Sequence, residues 1–164
     1  MKRQIIAYAL VLSLVSITGE LAYSDENHGK KVDQHANGHA TALGKPGDPG
    51  KVTRSIRVEM NDTMRFKPAS INVKGGETIR FIVRNAGKVR HEMVLGTIEE
   101  LKKHAELMRK YPEMKHADPN QVSVEPGKTG ELIWQFTNAG TFDFACLVPG
   151  HFEAGMVGKI GVTR

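Results

Sequence analysis

The chain has one cysteine, and it opens the segment Cys146-Leu147-Val148-Pro149-Gly150-His151-Phe152-Glu153-Ala154-Gly155-Met156. A thiol, an imidazole and a thioether thus share one tight loop between two strand-like runs, 141–146 and 157–163. A single cysteine excludes an internal disulfide, so the thiol is either buried and inert or chemically engaged. Whatever fold the chain adopts must bring the two runs together and leave that loop at their ends.

The rest of the chain from Val52 onward fits this demand. Alternating and β-branched runs, as in Ser55-Ile56-Arg57-Val58-Glu59-Met60 and Glu77-Thr78-Ile79-Arg80-Phe81-Ile82-Val83, read as half-buried strands. Further strands are expected at 69–73, 89–95, 121–125 and 130–137, with turns at Lys74-Gly75-Gly76, Asn85-Ala86-Gly87, Pro126-Gly127 and Asn138-Ala139-Gly140. Many short strands at regular spacing predict an all-β sandwich. One segment departs from the pattern. Thr97 with Glu100 forms a capping box, and Ile98, Leu101, Ala105 and Met108 share a helical face, which predicts an inserted helix over 97–111 stopped by Pro112.

The beginning of the chain reads differently. Lys2 and Arg3 precede an apolar run from Ile5 to Ile17 and the small residues around Ala22-Tyr23-Ser24, the pattern of a cleaved secretory signal over 1–24. That run is too short to span a bilayer, so no stable membrane insertion is expected after processing. Residues 25–51 hold His28, His35 and His39 with many glycines and little apolar content, and are expected to form a flexible, His-rich arm before a domain at 52–164. The net charge of +5 is mild and scattered, which argues against nucleic acid as a partner.

Thiolate, imidazole and thioether donors in one set suit copper, and two histidines with a cysteine and a weak axial methionine define its electron-transfer geometry. Cys146, His151 and Met156 supply three of the four. His91, in the strand-like run Val89 to Leu95, is the candidate for the fourth, because a neighbouring strand can carry it to the loop. A cysteine nucleophile with a histidine base is the competing reading, but no orienting carboxylate or oxyanion signature accompanies the pair, and no catalytic residue is assigned.

These residues resemble the cupredoxins, in which an upstream histidine joins a C-terminal Cys…His…Met loop. The resemblance covers 52–164 and includes Met64-Arg65-Phe66-Lys67-Pro68 and Gly140-Thr141-Phe142-Asp143-Phe144-Ala145-Cys146. It implies a Greek-key sandwich, His91, Cys146 and His151 as equatorial copper ligands, and Met156 as the axial one. The His-rich arm and scattered methionines resemble the CopI-type periplasmic copper-tolerance proteins. Two departures stand out. Azurin and plastocyanin place asparagine after the first histidine where this chain has Glu92, and azurin has a hydroxyl residue where this chain has Leu147. The hydrogen bond that ties the two ligand segments in those relatives is therefore expected to be unavailable in the same form.

Auxiliary copper sites are a further expectation, with His28, His35, His39, Met93, His104, Met108, Met114 and His116 as the candidate donors, against a bland alternative of solvated linker and core packing. The expected function is copper tolerance in the periplasm by binding copper and cycling Cu(I)/Cu(II), with Cu(I) oxidation as the one enzymatic reading left open. The alternative is a soluble electron carrier serving a respiratory or photosynthetic redox partner protein. Delivery of copper to a larger oxidase is a third.

Overall fold

Alternating side chains along the chain place one row of apolar residues on each strand, and the fold stacks these rows against one another. The structure, a computed structural model, describes residues 41–112 and 118–164. The expected signal at 1–24, the histidines His28, His35 and His39, and Met114 and His116 lie outside the described residues. The elements in order are β1 (Gly44–Pro46), β2 (Arg54–Asn61), β3 (Arg65–Lys67), β4 (Ser70–Lys74), β5 (Thr78–Asn85), β6 (His91–Gly96), α1 (Ile98–Lys110), β7 (Gln121–Val124), β8 (Thr129–Phe136), β9 (Gly140–Ala145) and β10 (Val157–Thr163).

Two five-stranded sheets result, ordered β1-β8-β5-β2-β3 and β4-β10-β9-β6-β7. Most neighbours are antiparallel, but β2 runs parallel to β5 and β4 parallel to β10. The chain leaves the first sheet after β3, contributes β4 to the second and returns for β5, so strands adjacent in sequence are divided between layers. The inward rows meet in one core: Val58, Met60, Ile79, Phe81, Val83, Leu132, Trp134 and Phe136 from the first sheet, and Ile71, Val73, Met93, Leu95, Phe144, Ile160 and Val162 from the second. Phe66 packs edge-on against Phe144 with ring centroids 4.9 Å apart. Gly158 leaves room for the Phe144 ring, since a Cβ there would fall 2.1 Å from it.

Every residue of β6 is buried, which a one-sided strand cannot achieve. The inserted helix explains it. Leu101, Ala105 and Met108 of α1 cover the outer face of the second sheet, where they pack with Val94, Ala145 and Leu147. The helix begins as its sequence dictates: the Thr97 side chain accepts the Glu100 N–H while the Glu100 carboxylate accepts the Thr97 N–H.

One expectation needs correction. Residues 41–51, assigned by sequence to the flexible arm, belong to the sandwich. Gly44–Pro46 pairs antiparallel with β8, and Leu43 is fully buried in the main core. An edge strand held by backbone hydrogen bonds and one buried leucine leaves no apolar alternation to read. We expect Leu43→Ala to cost about 2–5 kcal/mol of stability in urea unfolding, as a cavity-forming core truncation does. A loss below about 1 kcal/mol would return this segment to the status of an appendage.

Candidate metal centre

Strand register does most of the assembly. In the second sheet β9 lies between β6 and β10, with Ala145 opposite both Val94 and Val157. Antiparallel pairing therefore puts the start of β6, the end of β9 and the start of β10 at the same end of the sheet. His91 is the first residue of β6, Cys146 follows β9, and the 146–156 loop joins β9 to β10. The loop holds itself by backbone bonds: His151 N–H donates to Val148 O at 2.9 Å, Met156 N–H to His151 O at 3.0 Å, and Cys146 N–H to Met156 O at 3.1 Å.

His91, Cys146 and His151 converge, and they are the one group of three His, Cys, Asp or Glu side chains among the described residues close enough to share a metal ion. The two Nδ1 atoms are 3.2 Å apart, Cys146 Sγ is 3.2 Å from His151 Nδ1, and it is 4.0 Å from His91 Nδ1. A triangle with these sides has its centre about 2 Å from each corner, close to a metal–nitrogen bond length. Two imidazoles and one thiolate around such a point fit copper. Met156 is fully buried at the far end of the loop, with its backbone paired to Cys146 and His151.

Burial shapes the acid–base chemistry here. It pushes the Cys146 thiol up to about 12, although the N–H groups of Glu92 and Val148 pull the other way. A thiol so raised is a poor nucleophile, which removes support from a cysteine–histidine catalytic reading. Burial also lowers the pKa of His151, helped by the nearby His91, so this imidazole favours its neutral, metal-accepting form.

Two carboxylates complete the surroundings, and sequence motifs singled out neither for the part it plays. Glu92 is buried; its N–H points at Cys146 Sγ, 3.4 Å away, its Oε1 accepts the Leu147 N–H at 3.1 Å, and its Oε2 accepts from the Ser123 hydroxyl at 3.1 Å. The segments of His91 and Cys146 are thus tied after all, through a carboxylate instead of the amide of the relatives. Leu147 needs no hydroxyl, because its side chain packs under α1. Asp62, from the turn between β2 and β3, meets His91 Nε2 at 3.0 Å. The Lys88 N–H, then His91, hold its carboxyl below the usual carboxylate range.

The auxiliary candidates among the described residues are Met93, His104 and Met108. Met93 is fully enclosed in the main core, Met108 packs in the cluster under α1, and His104 is half-buried on the helix.

Comparisons with known proteins agree with this geometry. Residues 52–163 match the model of copper binding proteins of the plastocyanin/azurin family. The copper-resistant cuproprotein CopI of Rubrivivax gelatinosus is 51% identical over 99% of both chains. CopI of Pseudomonas aeruginosa is 39% identical, over 79% of this chain and 87% of its own. Among solved structures, reduced auracyanin of Roseiflexus castenholzii superposes with a TM-score of 0.60 at 19% identity, covering 69% of this chain and 99% of that one, a likeness of fold alone. With the sandwich, its inserted helix and the His–Cys–His corner in place, the chain belongs to the plastocyanin/azurin family of copper-binding proteins as a CopI-type cupredoxin, and copper is its cofactor.

Proposed function

We propose that His91 Nδ1, His151 Nδ1 and Cys146 Sγ would hold copper with Met156 as a fourth, weaker donor, and that the protein contributes to copper tolerance in the periplasm after export. The observation that carries the tolerance reading is the likeness to a copper-resistant cuproprotein over nearly the whole length of both chains, beyond the copper domain itself. The fold supports the ligand assignment because strand register and a self-bonded loop bring the three donors together. Bound copper supplies a one-electron couple between Cu(I) and Cu(II), the electron passing to or from a redox partner protein. The residues exclude water from Cys146 and His91, leave His151 half-buried, and keep the donors in one arrangement. His28, His35 and His39 would add imidazole donors for capture of further copper.

Electron carriage without tolerance is the second reading. It is favoured by one observation: Val148, Pro149 and Phe152, partly or fully exposed, share the loop with a half-buried His151. Deleting the gene separates the two. Growth inhibited at lower copper concentrations supports tolerance, whereas unchanged copper sensitivity with a slowed respiratory or photosynthetic rate sinks it.

Two expectations follow for the centre. Metal binding needs the thiolate, so loading the metal-free chain should release the Cys146 proton, and apparent affinity should rise about tenfold per pH unit at mildly alkaline pH. The same raised pKa means the metal-free folded state holds this proton more tightly than the unfolded chain. Its contribution to stability is present below the ordinary thiol range and is lost as pH rises toward about 12. Cys146→Ala should abolish both effects and the thiolate-to-copper absorption; colour that survives would remove Cys146 from the ligand set.

Glu92→Ala should cost about 1–3 kcal/mol, because it strands the buried Leu147 N–H, and should shift the visible spectrum. Glu92→Gln keeps an acceptor for that N–H and should retain most of the stability. Equal losses in the two variants, measured by urea unfolding, would show that the tie depends on charge and not on the acceptor.

A further inference from the structure

Asp62 belongs to no motif and to no part of the donor set, yet the structure organises it closely around His91. His91 Nδ1 is turned toward Cys146 and His151, and its Nε2 meets Asp62 Oδ1 at 3.0 Å; in the tautomer with the proton on Nε2, that N–H donates to the carboxylate and leaves Nδ1 bare. The other carboxylate oxygen accepts the Lys88 N–H at 2.7 Å. Gly87 leaves the room for this contact, since a Cβ there would lie 2.0 Å from Asp62 Oδ1. Its backbone is not left-handed, so the close approach, and not its own φ, accounts for the glycine. Buried Asn85 fixes the same loop, accepting the Gly87 N–H at 2.8 Å and donating to Val89 O at 2.8 Å and Val124 O at 2.9 Å.

We propose that Asp62 is a positioning residue of the copper centre: its carboxylate locks His91 in the tautomer that presents Nδ1 and biases the bound metal toward its oxidised state. This rests on the reading of His91 as a copper donor. Metal-bound histidines pass their second N–H to a carboxylate, carbonyl or water, and a carboxylate makes the ring a stronger donor. A backbone carbonyl would orient the ring equally well but would bring no charge. Cu(II) carries one more positive charge than Cu(I), so a fixed negative charge hydrogen-bonded to a ligand favours Cu(II). The placement suits that task. His91 is fully buried, whereas the Asp62 side chain is 39% exposed, so the carboxylate stays hydrated on its outer side while its inner oxygen acts in a dry corner.

The test uses the full chain loaded with copper. Asp62→Asn removes the charge, and its single oxygen cannot accept from both Lys88 and His91. Gly87→Ala retains the charge but puts a methyl group where the carboxylate now lies. Chelator competition should find Cu(II) binding weakened about 10- to 100-fold in both variants and Cu(I) binding weakened less. The reduction potential should rise accordingly, by about 59 mV for each tenfold difference in a one-electron couple. In the metal-free chain, nitrogen-15 NMR should find the His91 Nε2 proton exchanging faster with water in both variants. Equal weakening of the two oxidation states, with the potential unmoved, overturns the proposal. So does a rise in Asp62→Asn with none in Gly87→Ala, which would assign the effect to distant charge and not to the hydrogen bond. Failure of the underlying centre is read separately: thiolate–copper absorption that persists in Cys146→Ala removes the ligand set itself, whatever Asp62 does.

Discussion

The structure turns on the desolvation of Cys146. A fully buried thiol whose pKa burial has pushed up to about 12 is stable as a neutral group, but it holds a metal only as an anion. The surroundings must therefore tolerate a negative sulfur without flooding the site with water. Backbone N–H groups of Glu92 and Val148 face the sulfur and favour the anion, while the His91 and His151 imidazoles stand within reach of it. The loop alone could not position all of these groups. His91 and Glu92 come from the start of β6 and Val148 and His151 from the loop joining β9 to β10, and pairing across β6, β9 and β10 fixes their relative height.

That dependence explains why the helix matters to the metal centre although it contributes no donor. Covering the outer face of β6 and β9 with Leu101, Ala105 and Met108 makes both strands internal on both faces. Glu92, which points into the helix-covered side, can then act as a buried bridge instead of a solvated surface residue. Its carboxylate is satisfied by Leu147 N–H and the Ser123 hydroxyl, so burial does not leave the group without partners. Beyond the helix, Arg109 meets Glu153 of the loop at 3.3 Å, and Arg65 of β3 donates to Ala154 O at 3.1 Å. The loop is held from both sides, by an element of each sheet's surroundings.

Much of this was legible in the sequence because its signals are local. Apolar alternation marks β2, β5 and β8, the capping box of Thr97 and Glu100 marks the helix start, and the spacing of Cys146, His151 and Met156 marks the loop. What escaped was non-local. β1 is an edge strand whose pairing uses backbone groups, with only Leu43 as an apolar anchor, so its segment reads as polar linker. Asp62 is 29 positions from His91 and carries no pattern that distinguishes it from other turn aspartates. Glu92 was visible as a departure from relatives, but whether it breaks or replaces their hydrogen-bonded tie depends on where Leu147 N and Ser123 lie, which only the sheet register decides.

The candidate donors and the frame around them have different origins in this chain. His91, Cys146, His151 and Met156 come from one loop and one strand end. The frame consists of hydrogen bonds from elements that the loop sequence does not mention. In this chain the frame is acidic: Glu92 touches the cysteine side and Asp62 the histidine side, each through one bond to a ligand residue or its neighbour. With copper held as proposed, carboxylates in such positions would act on the charge difference between its oxidation states. The residues that would set such a bias are found by following hydrogen bonds outward from the donors.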